Sequence, residues 1–309
     1  MKKMCIFSKT RNLLVAVLAL VSIQAAQAQL FVTEHSGNVD EFTLTGSLVG
    51  SGPLITGLTD ASALTISGGF IYIACDLPGT VYKYTLSGSQ VGSGPIVAEA
   101  NIPEGLAISG TLLFVSNIDS GSINEYDTDG TLLHANLISS LDQPVGMLIS
   151  GSDLFVANGA ANTINEYLLD GTPVGAGPLI SGLNGPSGMA LIGSNLFITN
   201  YGSGTDPDGS ISEYTLTGSL VSTLVSGVVG PSQIATDGSN LFVTYKNSGT
   251  VEEYNATTGA IIGTDPLISG LFFPFGIAVV PEPSTWALLA LGMGMLGYVQ
   301  FRRTRRAVK

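Results

Sequence analysis

The sequence predicts an all-β protein, a six-bladed β-propeller built from four-stranded blades. A short phrase of Leu or Ile, an aromatic residue and Val or Ile returns six times along the chain. Its aromatic residues are Phe31, Tyr72, Phe114, Phe155, Phe197 and Phe242, at spacings of 41, 42, 41, 42 and 45 residues. A nearly constant spacing of this length indicates one supersecondary unit stacked repeatedly.

Each repeat contains four apolar segments of four to eight residues, bounded by Gly, Ser, Asn, Asp or Pro. Residues 30–33, 37–42 and 48–55 illustrate the first three segments, and residues 105–109 illustrate the fourth. The segments are rich in Val, Ile, Leu, Phe and Tyr, which predicts strands and turns rather than helices. The second alternates apolar and polar residues and predicts a half-buried outer strand, whereas the small apolar fourth predicts a strand covered on both faces.

The order of the segments predicts how the ring closes. The repeats begin with a first segment at Leu30 and end with a fourth segment at residues 275–280, so the first blade lacks its innermost strand. Pairing the last strand with the first blade removes two free sheet edges. The alternative is an open solenoid, which would need polar capping repeats that the sequence does not contain.

The repeat motif resembles that of NHL-type and related six-bladed propellers. It stands here as Pro-Ser-Gly-Met-Ala at 186–190, Leu-Phe-Ile-Thr-Asn at 196–200 and Gly-Ser-Ile-Ser-Glu-Tyr at 209–214. The resemblance covers residues 30–280 and implies the fold. It implies little about function, because such folds host many unrelated activities.

Residues 1–28 are expected to form a secretory signal peptide. Lys2, Lys3, Lys9 and Arg11 precede an apolar run at 13–21. Small residues follow and end in Ala26-Gln27-Ala28, an Ala-x-Ala cleavage signal. The alternative is an uncleaved anchor helix, for which the apolar run is short.

Residues 281–309 carry a three-part pattern. Pro281-Glu282-Pro283 is followed by a mostly apolar segment at 286–301, and the arginine cluster consists of Arg302, Arg303, Arg305 and Arg306. This order resembles the PEP-CTERM sorting signal of Gram-negative bacteria. The resemblance implies processing by an exosortase, a membrane cysteine protease that acts near the Pro-Glu-Pro motif. It also implies an association with extracellular polysaccharide and biofilm matrix.

The apolar segment of this tail predicts one transmembrane helix at the short end of what crosses a bilayer. The arginines beyond it are expected to stay in the cytoplasm. The chain is therefore expected to be exported to the cell envelope, the cell surface or the extracellular matrix. A transient anchor that is processed and a permanent anchor both remain open.

The charge of the predicted propeller excludes one class of partner. Between residues 29 and 280 lie 22 acidic residues and only two basic ones, Lys83 and Lys246, for a net charge near −20. Such a surface repels nucleic acid and anionic lipid, attracts divalent cations and favours solubility. Cys75 is the only thiol outside the signal peptide, so no intramolecular disulfide is expected.

The loops that join the first and second segments share a face with the loops that lead into the fourth. Eight residues on this face are predicted ligand contacts: His35, Asp76, Asn117, Asn158, Asn200, Tyr201, Tyr245 and Asp142. The same loops contain Asp60, Glu104, Gln143, Lys246, Phe272 and Phe273. This mixture would suit a sugar or a cation-bridged polar ligand. For the recurring Asn, bonding to the turn backbone is the alternative role.

The step of 45 residues arises from an insertion at 202–209, which contains Asp206 and Asp208 in an Asp-x-Asp-Gly fragment of a calcium loop. The fragment lacks the downstream Glu that completes an EF-hand, so a solvated turn is the alternative to a Ca²⁺ site. No other cofactor is expected.

Catalytic residues are scarce. The chain has two histidines, His35 and His134, and none of the common hydrolase, phosphate-loop or metal-binding motifs. The sequence therefore favours a secreted or surface-associated propeller without a catalytic role that binds exopolysaccharide or a surface protein. The alternative is a metal-dependent lyase or hydrolase with an axial site around His35 and its acidic neighbours.

Overall fold

The computed structural model describes residues 28–280, which form twenty-one β-strands. The predicted signal peptide, apart from Ala28, and the predicted C-terminal segment lie outside the described residues. Within residues 28–280 no helix has the length and apolar character needed to cross a membrane.

The strands group into six antiparallel sheets, the blades, which are numbered here in chain order. Blade 1 contains β1 (Gln29–Glu34), β2 (Asn38–Thr43) and the last strand, β21 (Pro274–Val280). Blade 2 contains β3 (Ala61–Ser67), β4 (Phe70–Cys75) and β5 (Thr80–Thr85). Blade 3 contains β6 (Gly105–Ser109), β7 (Leu112–Asn117), β8 (Ser122–Asp127) and β9 (Leu132–Ile138). Blade 4 contains β10 (Pro144–Ser150), β11 (Asp153–Asn158), β12 (Thr163–Leu168) and β13 (Ile180–Ser181). Blade 5 contains β14 (Pro186–Ile192), β15 (Asn195–Asn200), β16 (Gly209–Thr215) and β17 (Leu220–Val228). Blade 6 contains β18 (Pro231–Thr236), β19 (Asn240–Tyr245) and β20 (Thr250–Asn255).

The ring closes as the segment order predicts. Strand β21 pairs antiparallel with β1, and Leu30 lies opposite Val279 while Val32 lies opposite Ile277. Blade 1 is thus assembled from both ends of the propeller, and the six-bladed architecture is confirmed.

The outermost segment of each blade, the third of the sequence repeat, differs between blades. It is a full strand in β9 and β17 and shrinks to two residues in β13. In blades 1, 2 and 6 it pairs through isolated bridges, for example Val39 with Ile55. The reduced segments contain a glycine with positive φ, such as Gly92 at 86°, whose left-handed backbone interrupts a strand. Each blade of this propeller therefore keeps four segments, even where the outermost segment is only partly a strand.

Burial is greatest in the second strand of each blade rather than in the innermost one. Strand β1 is buried from Leu30 to Glu34, and β4, β7, β11, β15 and β19 repeat this pattern. The innermost strands are buried at their start and half-exposed towards their end, as in β10. The expectation that they are covered on both faces is wrong for that second half, because it lines an axial cavity of about 350 Å³.

Buried hydroxyl groups link neighbouring blades. Each one donates to a carbonyl oxygen on, or just before, the inner strand of the next blade. The pairs are Thr33 to Ser62, Ser62 to Pro103 (3.0 Å), Ser116 to Val145 (3.0 Å), Thr199 to Ser232 (2.5 Å) and Thr244 to Phe275 (2.8 Å). Five of the six interfaces have such a bond. At the sixth, between blades 4 and 5, the buried Ala157 stands at the equivalent position.

Candidate functional site

The loop face is defined here as the side of the propeller on which the second strands end and the inner strands begin. The antiparallel registers establish it, since Cys75 lies opposite Ala61 and Asn200 lies opposite Pro186. Each turn into an inner strand contains a left-handed residue, and the six are Asp60, Ile102, Gln143, Gly185, Gly230 and Phe273, with φ between 47° and 63°. Such a backbone is uncommon for a non-glycine residue. The loop face therefore has one repeated, sterically demanding turn around the axis.

A cavity of about 390 Å³ opens on the loop face. Its walls include Tyr201, Phe275 and Gln143, and its charged groups are Glu104 and Lys246. Glu104 also lines the axial cavity, so the two spaces are neighbours. Aromatic rings, an amide and both signs of charge thus converge on one concave surface.

Lys246 is the cationic group of this cavity. Its Nζ lies 5.3 Å from the centroid of the Phe275 ring, a cation–π distance. Burial raises the pKa of Glu104, and the positive charge of Lys246 opposes that rise. Within residues 28–280, Lys83 forms an ion pair with Asp129 at 2.9 Å, whereas Lys246 forms none. Lys246 is therefore a cation of the cavity without an ion-pair partner among the described residues.

The structure brings His35 and Asp76 together and adds Asp60 to them. The Nδ1 atom of His35 lies 2.5 Å from Oδ1 of Asp60, and one ligand atom from each of the three residues lies within 4.8 Å of the others. Burial raises the pKa of Asp76 to about 7, and the nearby carboxylate of Glu104 adds to the rise. Among residues 28–280, these three form the one group of metal-binding side chains whose ligand atoms lie this close together.

The recurring asparagines lie at the ends of β7, β11 and β15 with buried side chains. The Oδ1 atom of Asn117 accepts from the backbone N–H of Asn101 at 3.0 Å, as the structural alternative requires. The amide groups of the other two donate to third-strand side chains, Asn158 to Asn165 and Asn200 to Ser210, both at 3.1 Å. These bonds fasten strand ends, and ligand binding by the three asparagines stays a prediction.

The three remaining predicted contacts occupy different environments. Tyr201 lines the loop-face cavity. Tyr245 is buried, and its hydroxyl lies 2.6 Å from that of Tyr254, in the hydrophobic core. Asp142 is exposed on the loop that leads into β10. Of these three, only Tyr201 contributes to the cavity wall.

The insertion at 202–209 is closed by its own aspartate. The carboxylate of Asp208 accepts from the N–H of Ser203 at 2.9 Å and from its hydroxyl at 3.1 Å, and these bonds lower the pKa of Asp208. Asp206 is exposed, and within residues 28–280 no third metal-binding side chain gathers around this pair. The insertion reaches the cavity side of the loop face, because Asn247 donates to the carbonyl of Gly204 at 2.6 Å and to the hydroxyl of Tyr201 at 3.3 Å.

Four residues that matter to this geometry are missing from the sequence-predicted contacts. Asp60, Glu104 and Lys246 lie in the predicted loops, but nothing in their spacing distinguishes them from other loop residues. The sequence pattern places Phe275 in the inner strand and gives no sign that its side chain lines the cavity. The repeated Pro at the start of the inner strands is the one signal that could have indicated which side chains turn towards the axis.

Comparison with known proteins identifies a sorting motif at residues 279–306 and supports the fold. Residues 279–306 match the PEP-CTERM protein-sorting motif. This motif marks an exported protein that is sorted to the cell envelope and processed by an exosortase, as the resemblance in the sequence implied. No curated protein matches the chain in sequence.

Among solved structures, the chain is similar to one from the crystal structure of a nidogen/laminin complex. The TM-score is 0.69 at 16% identity, over 82% of this chain and 99% of that one. A computationally designed protein, Ika8, is also similar, with a TM-score of 0.47 at 16% identity, over 80% of this chain and 78% of that one. The first likeness supports the β-propeller fold and carries no information on the ligand.

Proposed function

We propose that this exported propeller binds a polysaccharide of the envelope or extracellular matrix through its loop-face cavity, and that it does so without catalysing a reaction. The observation that carries the proposal is the meeting of Tyr201, Phe275, Lys246, Glu104 and Gln143 around one open cavity of about 390 Å³.

Sugars present apolar ring faces and a periphery of hydroxyl groups. Aromatic side chains offer flat apolar surfaces with defined polar edges, and charged or amide side chains bond hydroxyl groups directionally. Binding sites for small ligands combine such apolar walls with a few placed polar groups. The cavity has this composition, and Lys246 would also favour a sugar that bears a carboxylate.

A second aromatic pair is exposed on the same loop face. Phe272 and Phe273 lie in the turn that leads into β21, with ring centroids 5.0 Å apart, and they are 56% and 43% exposed. The backbone N–H of Phe272 donates to the buried Glu34 at 2.9 Å, which holds the turn in place. Exposed aromatic residues on a fixed turn are suited to stack on a sugar chain.

The proposal is tested by the binding of the purified full chain to immobilised polysaccharides, with the extracellular polysaccharide of the producing bacterium as the main probe. Phe272→Ala and Lys246→Gln should each weaken binding about tenfold, the loss of one well-placed contact. Leu220→Ala is the matched control, because Leu220 is 58% exposed but lies on the outermost strand β17.

Equal binding by all three variants, or no binding to any polysaccharide, would refute the proposal. A surface protein captured by the same face, with loss of capture in Phe272→Ala, would replace polysaccharide by protein as the partner.

One observation favours a second candidate function, a metal-dependent lyase or hydrolase. His35, Asp60 and Asp76 form a group of possible metal ligands on the loop face, and a bound metal ion can activate water. The same polysaccharides, incubated with the chain and Zn²⁺ or Mn²⁺, would then be shortened, and His35→Gln would abolish the shortening. Unchanged polysaccharide length in the presence of metal would exclude this function.

A further inference from the structure

We propose that His35 and Asp76 bind one divalent transition-metal ion, with Zn²⁺ as the best-suited probe, while Asp60 orients the imidazole of His35, and that this ion joins blade 1 to blade 2. The ion would have this structural role whether or not the protein is an enzyme and whether or not it binds polysaccharide.

The three side chains are already gathered. One ligand atom from each lies within 4.8 Å of the others, and Nδ1 of His35 lies 2.5 Å from Oδ1 of Asp60. A carboxylate oxygen is only an acceptor, so Nδ1 carries the proton of this contact. A carboxylate that holds the N–H of an imidazole fixes the ring and its tautomer, as partners of metal-binding histidines commonly do.

Two atoms of the group lack partners. Nε2 of His35 and Oδ1 of Asp76 are buried and have no hydrogen bond within residues 28–280. Asp76 as a whole is only 7% exposed. Buried polar atoms in folded proteins are nearly always paired, because an unpaired one loses its bonds to water without compensation. An ion bound by these atoms would supply the missing partner.

The donor types select the class of ion. An imidazole nitrogen and a carboxylate oxygen are donors that Zn²⁺ accepts, and tetrahedral Zn²⁺ would fill its other positions with water or ligand groups. Ca²⁺ takes six to eight oxygen ligands, which this group does not offer. The negative charge of the propeller also draws a cation to this surface.

The group spans two blades beside the ring closure. His35 lies between β1 and β2 in blade 1, whereas Asp60 precedes β3 and Asp76 follows β4 in blade 2. The imidazole ring also packs edge to face against Phe275 of the closing strand β21, with centroids 6.1 Å apart. An ion on these residues would therefore link blade 1, which contains the first and last strands of the propeller, to blade 2.

The experiment uses the full chain, freed of metal by a chelator that is then removed. Zn²⁺ should bind with one high-affinity site per chain. At a free concentration of one hundred times the dissociation constant, it should raise the unfolding temperature by about 5–10 °C. Ca²⁺ at the same concentration should have a much smaller effect.

Two variants test the assignment. His35→Gln and Asp76→Asn should each weaken Zn²⁺ binding at least about tenfold and remove most of the temperature shift. His134→Gln is the matched control, because Nδ1 of His134 also lies close to a carboxylate, 2.6 Å from Glu125, but far along the chain and exposed. Its Zn²⁺ affinity should equal that of the unchanged protein.

The absence of a Zn²⁺ site, equal affinity in His35→Gln and the unchanged protein, or loss of affinity in His134→Gln alone would each overturn the proposal. If Asp76→Asn fails to fold, His35→Gln decides the question by itself. None of these measurements involves a polysaccharide, so their outcome is separate from that of the proposed function.

Discussion

The hydroxyl of Thr244 donates a 2.8 Å hydrogen bond to the carbonyl oxygen of Phe275. Thr244 lies on β19 of blade 6 and Phe275 on the closing strand of blade 1, so this bond spans the interface that completes the ring. The same link recurs at four other interfaces, and buried polar contacts therefore join blades whose packing is otherwise apolar.

Thr244→Val removes this bond with little change in shape. Because the carbonyl of Phe275 stays buried and loses a donor, we expect the free energy of unfolding to fall by about 1–3 kcal/mol. Urea denaturation measures this free energy of unfolding. Thr217→Val, on an exposed turn, is the control and should change stability by less than about 0.5 kcal/mol. Equal effects of the two substitutions would contradict the role of the link.

Ala157→Ser should add the hydroxyl that the interface between blades 4 and 5 lacks. Ala157 is completely buried at the position equivalent to Ser116, whose hydroxyl bonds Val145 across the preceding interface. A new bond to the next inner strand would raise the free energy of unfolding by about 0.5–1.5 kcal/mol. A decrease, measured by the same denaturation, would mean that the serine hydroxyl finds no acceptor there.

Gly146→Ala should be strongly destabilising. A Cβ at Gly146 on β10 would stand 2.0 Å from the carbonyl oxygen of Ser187 on β14, so two inner strands would have to separate. Such overpacking against backbone costs about 3 kcal/mol. Gly177→Ala is the matched control, because nothing lies within 4 Å of its added Cβ. Similar unfolding temperatures for the two variants would disprove this close approach of the blades.

Asp40→Asn should stabilise the protein at neutral pH and not at acidic pH. Burial, reinforced by Glu34, raises the pKa of Asp40 from 3.8 to about 6, so the folded state disfavours the charged form. This cost is absent below pH 3.8, grows as the pH rises to 6 and is constant above. We therefore expect a gain of about 1–2 kcal/mol at pH 7.

The measurement is the free energy of unfolding of both proteins between pH 3.5 and 7.5 in urea. The exposed Asp142→Asn is the control and should show no such pH-dependent difference. A gain for Asp40→Asn that is equally large at pH 3.5 would show that charge is not its cause.

The repeat and its closure could be predicted because they depend on local patterns. Residues such as Phe31 and Phe114 recur at the spacing of one blade, and the missing inner strand of blade 1 has a single candidate at residues 275–280. The partial loss of the outermost strands also depends on local sequence, because glycines such as Gly50 and Gly92 adopt positive φ there. The burial of the inner strands was misjudged because a closed ring leaves an axial cavity that no local pattern contains.

By itself, the sequence determined the strands, the order in which they pair and the sorting motif, since each of these is encoded in neighbouring residues or in a constant spacing. Only the tertiary structure decided which loop residues meet. His35 and Asp60 are 25 positions apart and touch because blades 1 and 2 are adjacent, and Lys246 reaches Phe275 because the ring closes. Curvature around the axis, and not sequence distance, brings these side chains together.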